Sequence, residues 1–500
     1  MRSRATYRGK SRPFSPVLWH GGLRYILAPM ISRREFLGGV ATMTTAAAPA
    51  RYNMIVLMSD EHNPFFSQPY GHPFVSTPNM TRMARMGTVF TNAYCPSPLC
   101  MPSRSAFLSG RRVFDLQTYG NCNVFQVETP SYGKVLADQG VHTVHVGKTD
   151  VYNRAATLGF SEMILPGDRA QPGDVYVSRV PLDVPKDFEG RSGGYGVTSN
   201  ALVNERAPMN RALEWLETSA PKSKQPWTLA INIVKPHFPH RVTQDLWDMY
   251  ADHADLPRNG GDGEAARHPY TLDLRRFFGT DSFNEEQIRN LRRGYYGCVT
   301  WVDQQLGRLL DALEKTGRLS DTVVAYTSDH GEMLGKFGLW WKRSLYEDSV
   351  RIPMIVAGPG FAPGRRVETP VDLQDLQASL FHATGARRPA DWVGWPLQTM
   401  PRNDTKRTVF AEFQGGGTRA SAFLIRQGRW KLLYNCAAPH QLFDLQADPE
   451  EVTNLAGRHS DMARKLESEL RKICSPEREN ARAEGYITRQ LKAMGRTPGA

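Results

Sequence analysis

Four short apolar runs that stop abruptly at polar residues restrict the fold of this 500-residue chain more than any other feature. The runs cover residues 53–58, 142–146, 228–234 and 322–326, and they lead into Ser59-Asp60-Glu61, Gly147-Lys148, Lys235-Pro236-His237 and Ser328-Asp329-His330. Near-continuous apolar runs of this length are typical of strands buried on both faces of a largely parallel sheet. The sequence therefore predicts parallel strands whose carboxyl ends carry polar side chains.

Helical patterns separate these predicted strands. The clearest covers residues 285–316, where apolar side chains recur at three- and four-residue steps and Gly317 follows as a stop. Strands that alternate with helices favour an α/β fold in which helices sandwich one large, mostly parallel sheet. Ligands of such folds bind beyond the carboxyl ends of the strands. We therefore expect the polar residues after the four runs to share one site.

The pattern changes near residue 400. Segments 409–413, 422–425 and 430–434 alternate or bunch like short antiparallel strands joined by turns, and a charged helix is predicted around 459–473. The predicted organisation is a main domain over residues 52–400 and a smaller C-terminal subdomain over residues 401–500. The smaller subdomain is expected to consist of an antiparallel sheet plus a helix.

The N-terminal segment carries most of the excess positive charge. The chain has 62 Lys and Arg against 50 Asp and Glu, a net charge of +12, and residues 1–51 hold nine basic residues and one acid. That segment thus contributes +8 of the +12, and little positive charge is left for the rest of the chain. A nucleic-acid partner is therefore not expected.

The same segment resembles an export signal. Arg33-Arg34 is followed by Phe36-Leu37, a weakly apolar stretch and Ala46-Ala47-Ala48-Pro49-Ala50, a pattern typical of twin-arginine export with a cleavage region. The alternative is a disordered basic leader with a chance arginine pair. A signal within residues 1–50 predicts the twin-arginine translocase as a partner and a periplasmic or secreted bacterial protein. No other segment approaches about 18 consecutive apolar residues, so no membrane-spanning helix is expected.

The residue types at the strand ends suit a site that binds a metal cation together with an anionic ligand. Asp60, Asp329 and His330 could together bind one divalent cation, although either aspartate alone equally suits a helix cap or a turn. Lysines beside such a cation make sense if an anion with several oxygens lies between them. Three lysines are candidates, each with a solvated surface as the alternative: Lys148, Lys235 and Lys342.

His237 and Cys100 are candidates for the chemical step. Prolines flank His237, which is either a general acid toward a leaving oxygen or a structural histidine. Cys100 precedes Pro102, which suits the first turn of a helix, where backbone amides and the helix dipole favour negative charge. The six cysteines contain no Cys-x-x-Cys pair, which disfavours a zinc site or a disulfide framework. A thiolate nucleophile, a metal ligand and a core thiol remain open for Cys100.

Residues 100–111 resemble a known family signature. Cys100-Met101-Pro102-Ser103-Arg104, continuing to Leu108-Ser109-Gly110-Arg111, is similar to the signature of the formylglycine-dependent sulfatases of the alkaline phosphatase-like superfamily. The similarity extends over nearly the whole chain after residue 52 and includes Ser59-Asp60, Gly147-Lys148, Pro236-His237, Ser328-Asp329-His330-Gly331-Glu332, Lys342 and the segment 441–455. Local features resemble the choline sulfatase, uronate-2-sulfatase and phosphonate monoester hydrolase branches. The resemblance makes residues 52–400 a catalytic sulfatase domain.

The resemblance implies a mechanism and a set of site residues. A formylglycine-generating enzyme would oxidise Cys100 to formylglycine (3-oxoalanine), whose aldehyde hydrate is the nucleophile toward a small-molecule or saccharide sulfate ester. One divalent cation is implied, with Ca²⁺ expected and Mg²⁺ or Mn²⁺ as alternatives. The implied metal ligands are Asp60, Cys100, Asp329 and His330. Arg104 would steady the hydrate, Lys148 and Lys342 would bind the ester oxyanion, His237 would assist the leaving group, and Asn121 matches a substrate-binding asparagine of the phosphonate monoester hydrolases.

Three departures from the family pattern bear on the substrate. Glu61 stands where most relatives have a second acid or amide of shorter length, and it is left out of the ligand set. Asp329-His330 replaces a common Asp-Asn pair, and Asp150 replaces an expected histidine in Gly147-Lys148-Thr149-Asp150. A phosphonate or phosphate diester hydrolase of the same superfamily therefore remains an alternative, as does a non-catalytic anion- or glycan-binding protein on this scaffold.

Overall fold

A computed structural model describes residues 51–122, 129–151, 158–167, 174–185 and 189–497, with residues 189 and 190 described by their backbone alone. The predicted export signal, residues 1–50, lies outside the described residues. The strands are β1 (Asn53–Asp60), β2 (Gly87–Phe90), β3 (Ala93–Tyr94), β4 (His142–Gly147), β5 (Glu162–Ile164), β6 (Tyr195–Val197), β7 (Trp227–Pro236), β8 (His240–Val242), β9 (Thr322–Ser328), β10 (Arg351–Ile352), β11 (Met354–Ala357), β12 (Arg365–Val367), β13 (Val371–Asp372), β14 (Thr408–Phe413), β15 (Ala422–Gln427), β16 (Trp430–Asn435) and β17 (Gln441–Asp444).

The described residues contain thirteen α-helices. They are α1 (Pro78–Met86), α2 (Cys100–Ser109), α3 (Val113–Leu116), α4 (Tyr132–Ala137), α5 (Glu189–Ser192), α6 (Ala207–Thr218), α7 (Gln244–Asp248), α8 (Pro269–Phe278), α9 (Glu285–Lys315), α10 (Glu347–Val350), α11 (Leu373–Thr384), α12 (Ser460–Ile473) and α13 (Pro476–Ala493). The helix predicted over 285–316 is α9, and Asn284 begins it with a capping box that includes Gln287. None of the helices among the described residues has the length and apolar character that a membrane crossing requires.

The largest sheet has eight strands in the order β12-β2-β11-β9-β1-β7-β4-β5. Within it β11 runs antiparallel to both of its neighbours, while the five strands from β9 to β5 are mutually parallel. All four apolar runs of the sequence lie in that parallel half, as β1, β4, β7 and β9. The prediction of a large, mostly parallel sheet is confirmed.

Helices cover both faces of this sheet because β1 is apolar on both sides. Ile55 and Leu57 pack into a core with side chains of α1, α6 and α9. Met54 and Val56 point to the opposite face, where they share a second core with side chains of α2, α4 and α11. Alternation of side chains along a strand explains why one run of apolar residues supplies two cores.

The strand register aligns the carboxyl ends that the sequence singled out. Ser59 of β1 is opposite Ser328 of β9, and Asp60 is opposite Pro236 of β7. On the other side of β7, Gly147 ends β4 opposite Asn232. A Cβ at Gly147, whose φ is +87°, would lie 2.2 Å from the Asn232 carbonyl oxygen. A glycine is therefore required at position 147, where β4 ends and Lys148 follows.

A separate four-stranded antiparallel sheet, β14-β15-β16-β17, follows the main sheet in the chain. Leu466 and Leu470 of α12 pack on Phe423 and Ile425 of β15. The sheet and the helix expected after residue 400 are thus present, while α13 was not predicted. The domain boundary near residue 400 stays a prediction.

Candidate active site

The polar ends of the four parallel strands meet at one edge of the sheet. Asp60 is the last residue of β1, and Asp329 and His330 follow β9 directly. The backbone N–H of Asp329 donates to the Ser59 carbonyl at 3.3 Å, which continues the β1–β9 pairing one residue further. Lys148 and His237 follow β4 and β7. The register of the strands therefore brings these residues into one site, as the sequence led us to expect.

Helix α2 places Cys100 at the centre of this group. Cys100 is the first residue of α2, Pro102 lies in its first turn, and the Cys100 side chain is 1% exposed. Its sulfur lies 3.0 Å from Lys342 Nζ and 3.2 Å from His330 Nε2. A core thiol surrounded only by apolar atoms is thus the wrong description of Cys100.

The signature residues next to Cys100 attach α2 to the end of β9. Ser103 Oγ donates to the Asp329 carbonyl at 2.6 Å, and Arg104 Nε donates to Asp329 Oδ2 at 2.7 Å. Arg104 Nη1 also donates to Asn232 Oδ1 at 2.9 Å, and Nη2 lies 3.5 Å from Asp60 Oδ2. Arg104 therefore holds both aspartates in place, and its predicted contact with a hydrate stays a prediction.

Four buried side chains converge as a candidate metal site. They are the four predicted ligands, Asp60, Cys100, Asp329 and His330, and one donor atom from each lies within 4.8 Å of the others. His330 Nδ1 is 2.9 Å from the Gly331 carbonyl, which can only accept, so Nδ1 carries the proton and Nε2 faces the cluster.

The electrostatics of the cluster favour an added positive charge. Burial acts to lower the pKa of His330, but the Asp329 carboxylate beside it raises that pKa to about 9. Buried carboxylates that hold a proton on a neighbouring imidazole would equally stabilise a hard divalent cation. The donor set of two carboxylates, an imidazole and the residue-100 side chain fits such an ion.

Lys148 and Lys342 flank Cys100 within the same group. Lys148 Nζ donates to Asp60 Oδ2 and lies 3.3 Å from Asp150 Oδ2. Burial acts to lower the pKa of Lys148, but Asp150 and then Asp60 outweigh it and the pKa rises. Asp150 and Asp60 are therefore the two carboxylates that keep Lys148 charged.

The third candidate lysine does not reach the site. Lys235 is 3% exposed, and its ammonium donates to the backbone carbonyls of His237 and Pro239. It stabilises the loop that carries His237 rather than binding an anion between the cation site and the other lysines. The structure thus shows that Lys235 differs in role from Lys148 and Lys342, a difference that the sequence alone did not reveal.

His237 lies at the rim, with 18% of its side chain exposed. Its Nδ1 donates to the Phe238 carbonyl at 2.7 Å, which leaves Nε2 directed toward the site, 3.4 Å from Glu61 Oε2. Burial, followed by the charge of Lys342, lowers the pKa of His237 to about 4.

Asn121 reaches the site through the backbone of α2. Its Oδ1 accepts a hydrogen bond from the Met101 N–H at 3.1 Å, and the side chain is 8% exposed. Since Met101 follows Cys100, Asn121 fixes the first turn of the helix that presents residue 100. Its predicted contact with substrate stays a prediction.

Asn232 escaped sequence reasoning, and Glu61 was noticed there but left out of the ligand set. Glu61 is fully buried, and its carboxylate lies 3.4 Å from His237 Nε2 and 3.6 Å from Lys342 Nζ. It is not part of the four-residue cluster, but with Asp60 and His237 it forms a second group whose donor atoms lie within 4.8 Å of one another. Asn232 sits inside an apolar strand and binds Arg104. An asparagine in the interior of the otherwise apolar stretch 229–234 was the available signal for Asn232.

Comparisons with known proteins identify the class and then the family. Among solved structures, the phosphonate monoester hydrolase of Silicibacter pomeroyi superposes with a TM-score of 0.67 at 22% identity, covering 85% of this chain and 94% of that one. BT4656, solved with D-glucosamine-2-N,6-O-disulfate, gives a TM-score of 0.66 at 22% identity and covers 89% of this chain and 98% of its own. These neighbours and the mixed sheet define an α/β fold of the alkaline phosphatase-like type.

The chain belongs to the sulfatase family. The family model described as Sulfatase matches residues 52–386, and the model for the C-terminal part of N-sulphoglucosamine sulphohydrolase matches residues 335–476. The choline-sulfatase of Rhizobium meliloti (strain 1021) is 31% identical over 427 residues, which cover 81% of this chain and 82% of the relative. Arylsulfatase K of Xenopus laevis is 26% identical over 485 residues, covering 90% and 87%. The protein is thus a sulfuric ester hydrolase, and the family predicted from the signature is confirmed.

Proposed function

We propose that this sulfatase cleaves a sulfate monoester of a small molecule or saccharide, using formylglycine formed from Cys100 and one divalent cation. The observation that carries the proposal is the position of the Cys100 sulfur, at the first turn of α2 and within 3.2 Å of both Lys342 Nζ and His330 Nε2. A reactive group at this position lies beside the candidate metal ligand His330 and also beside the Lys342 ammonium, which can bind an ester oxyanion.

The surroundings of residue 100 stabilise a negative charge on its side chain. Burial and Asp60 act to raise the pKa of the Cys100 thiol, but Lys148, Lys342 and His330 outweigh them and lower it to about 6. The same groups would favour the oxyanion of an aldehyde hydrate. A formylglycine hydrate supplies two hydroxyls on one carbon, one to attack sulfur and one whose deprotonation expels sulfate and restores the aldehyde.

The proposed cation is held by Asp60, residue 100, Asp329 and His330, with Ca²⁺ expected and Mg²⁺ or Mn²⁺ as alternatives. When bound, such an ion supplies Lewis-acid charge that lowers the pKa of a coordinated hydroxyl and polarises a sulfuryl group. Arg104 contributes by fixing the orientation of the two aspartates, which it bridges from the next turn of α2.

Lys148 and Lys342 are proposed to donate hydrogen bonds to the sulfuryl oxygens. Both ammonium groups stay charged because carboxylates lie beside them, Asp150 and Asp60 for Lys148 and Glu61 for Lys342. Donors already in place where negative charge develops stabilise the transition state without reorganising. The substrate-binding role given to both lysines and to His237 follows from this placement.

His237 is proposed to protonate the leaving alcohol oxygen. The Phe238 carbonyl holds the proton on Nδ1, so a second proton would reside on Nε2, which faces the site. Because burial and Lys342 lower the pKa of His237 to about 4 in the unliganded protein, this role requires that the bound anionic ester, together with Glu61 at 3.4 Å from Nε2, raise that pKa and stabilise the imidazolium form. General acids placed in this way typically contribute about 10² to 10⁴ in rate.

The mass of the peptide that contains Cys100 tests the proposal. The chain is co-expressed with a formylglycine-generating enzyme, and a mass decrease matching replacement of –CH₂SH by –CHO is expected, together with turnover of 4-nitrophenyl sulfate. A known sulfatase converted in the same cells is the control. An unmodified cysteine in an active protein would refute the formylglycine mechanism.

A phosphonate or phosphate diester hydrolase is the second candidate function. It is supported by the Asp329-His330 pair and by Asn121, both of which resemble residues of the phosphonate monoester hydrolases. Rates on 4-nitrophenyl sulfate and on the matched 4-nitrophenyl phenylphosphonate distinguish the two, since each candidate predicts a higher kcat/KM for its own ester. A protein that binds both esters and turns over neither would instead be an anion-binding protein.

We propose further that the chain is exported through the twin-arginine translocase to the periplasm or beyond. The Arg33-Arg34 pair supports this proposal. Replacing both arginines by lysine should retain the protein in the cytoplasm, and unchanged export of that variant would contradict it. Neither a nucleic-acid partner nor a membrane span is part of the proposal.

A further inference from the structure

Lys342 lies between two residues of strained backbone. Trp341 has a φ of +62° and Arg343 a φ of +84°, both in the left-handed region that residues other than glycine rarely adopt. Residues persist in this region only where the surrounding structure holds them there, and they concentrate at functional sites. The position of the Lys342 ammonium therefore depends on the contacts that hold the residues on either side of it.

The Trp341 side is held within the loop that follows β9. The Trp341 N–H donates to Glu332 Oε1 at 2.5 Å, and the Trp341 carbonyl accepts from the Met333 N–H at 2.8 Å. The Trp341 ring is fully buried and lies 5.1 Å from that of Phe278, measured between centroids. Because both hydrogen bonds come from residues of the same loop, they fix its internal shape.

The Arg343 side is held by segments that are remote in the chain. The Arg343 N–H donates to the Pro98 carbonyl at 3.0 Å, two residues before α2 begins. The guanidinium is 4% exposed and donates through Nη2 to Asp174 Oδ2 and through Nη1 to the Gly416 carbonyl. Its Cζ atom also lies 4.6 Å from the centroid of Phe277, within the range of a cation–π contact. Arg343 thus connects the residue after Lys342 to three distant parts of the chain.

The two segments that bind the guanidinium are themselves packed together. A Cβ added at Gly416, in the loop between β14 and β15, would lie 2.4 Å from the Tyr176 carbonyl oxygen, so the two backbones are in direct contact. Arg179 Nη1 donates to Ser421 Oγ at 2.9 Å, which joins the same two segments a second time. Asp174 and the Gly416 carbonyl therefore form an acceptor site whose geometry does not depend on Arg343.

These contacts support Lys342 and do not themselves reach the reacting atoms. Both terminal nitrogens of the Arg343 guanidinium donate to Asp174 and Gly416, whereas the neighbouring Lys342 Nζ lies 3.0 Å from the Cys100 sulfur. Without the guanidinium contacts, the strained backbone at residue 343 would relax, and a change of φ beside Lys342 would move its ammonium. A displacement of about 1 Å at an active site can lower the rate about 10²-fold.

We propose that Arg343 is a positioning residue. Through its ion pair with Asp174 and its hydrogen bond to the Gly416 carbonyl, it holds the strained backbone beside Lys342 and so sets where the Lys342 ammonium meets the ester oxyanion. This inference rests on the sulfatase function proposed above, and it deepens that function by assigning the control of one of its oxyanion donors to an ion pair outside the reacting groups.

A double-mutant cycle tests whether Arg343 acts through Lys342. Arg343→Met keeps an unbranched chain against Phe277 but removes the ion pair with Asp174. In the modified full-length enzyme it should lower kcat for 4-nitrophenyl sulfate about tenfold to 10²-fold, with KM changed less than about threefold. In the Lys342→Ala background the same substitution should change kcat less than about threefold, because the ammonium that it positions is already absent.

Two further variants separate positioning from stability. Arg343→Lys retains a charge for Asp174 and should recover part of the kcat that Arg343→Met loses. Arg407→Met is the matched control, because Arg407 likewise pairs with one carboxylate, Asp375, and donates to one backbone carbonyl, that of Pro370, at 2.8 Å. It should leave kcat unchanged. Thermal unfolding measures the stability that each variant loses, and Asp174→Asn takes the place of Arg343→Met in the cycle if that variant does not fold.

Crystal structures of the unmodified wild type and of Arg343→Met give a result that does not depend on sulfatase activity. The Lys342 Nζ atom should move by about 1 Å or more from its place beside residue 100. Three results overturn the inference: an equal fold-loss of kcat in both backgrounds of the cycle, a loss confined to KM, and a Lys342 that has not moved. A wild-type enzyme that does not hydrolyse 4-nitrophenyl sulfate would instead contradict the proposed function, while the two crystal structures would still decide whether Arg343 positions Lys342.

Discussion

The Lys342 ammonium lies 3.0 Å from the Cys100 sulfur although the two residues are 242 positions apart in the chain. Cys100 begins α2, and Lys342 lies in the loop after β9, which Ser103 and Arg104 attach to the same helix. The contact is thus a product of the fold, and it aligns the proposed nucleophile with a group that can bind the ester oxyanion.

Lys342→Ala should lower kcat more than it raises KM. Lys342 is proposed to donate to an oxygen whose negative charge grows during the reaction, so its loss weakens transition-state binding more than ground-state binding. Loss of one such donor typically lowers kcat by about 10² to 10³. Steady-state kinetics on 4-nitrophenyl sulfate measure the effect, with the exposed Lys406→Ala as control. A change confined to KM would show that Lys342 binds only the ground state.

Cys100→Ala should abolish turnover and leave the fold intact. Residue 100 is the proposed source of the nucleophile, and removing its side chain also removes a proposed metal ligand. Circular dichroism and thermal unfolding report the fold, and Cys298→Ala is the control, because Cys298 is a free, buried thiol on α9. Turnover near that of the wild type would exclude residue 100 as the nucleophile.

Asp329→Asn should reduce bound metal and activity together. The amide keeps the shape of the side chain but removes the charge that binds both the proposed cation and Arg104. Metal analysis after dialysis, set beside kcat/KM, measures the two losses. Asp311→Asn is the control, since Asp311 forms an exposed ion pair with Arg82. If metal content stays at the wild-type value while activity falls, Asp329 is not a ligand.

Stability should fall as pH rises between about 4.5 and about 8 because of Glu412. Burial raises the pKa of Glu412 to about 8 from its usual 4.5, against hydrogen bonds from the Phe114 N–H and Gln414. In this range the folded state retains a proton that the unfolded state releases. The stability present at pH 4.5 is therefore lost progressively, by up to about 1.4 kcal/mol per pH unit, until the folded carboxyl also ionises.

Glu412→Gln should flatten that part of the pH dependence. Urea unfolding at pH 5, 6, 7 and 8 measures the free energy of unfolding of the variant and the wild type. Glu314→Gln, at an exposed ion pair with Arg82, serves as the control and should keep the wild-type slope. Parallel curves for the wild type and Glu412→Gln would show that Glu412 is already ionised in the folded protein at pH 5.

Local patterns were sufficient to predict the sheet and the strands whose carboxyl ends hold the site residues. A strand buried on both faces requires an apolar run, so residues 53–58 and 322–326 could be recognised without knowledge of their neighbours. Parallel strands also end at one edge, so the meeting of Asp60, Asp329 and Lys148 followed from the runs alone. The family was recognisable because the residues around Cys100 form one continuous segment.

Contacts between distant segments could not be predicted in this way. Lys235 and Lys342 are equally polar in sequence, but the ammonium of Lys235 is bound by its own loop while that of Lys342 reaches Cys100. Nothing local shows that Arg191, on the four-residue helix α5, covers the rings of Phe238 and Trp341.

By itself the sequence determined the α/β class, the sulfatase family and the identity of the residues at the strand ends, because apolar periodicity and a contiguous signature are local properties of a chain. Only the tertiary structure decided which charges neutralise one another. Asp150 is paired with Lys148, Arg104 bridges Asp60 and Asp329, and Glu61 lies between His237 and Lys342. Electrostatic interactions depend on distance through space and on burial, and both of these arise when remote segments pack together.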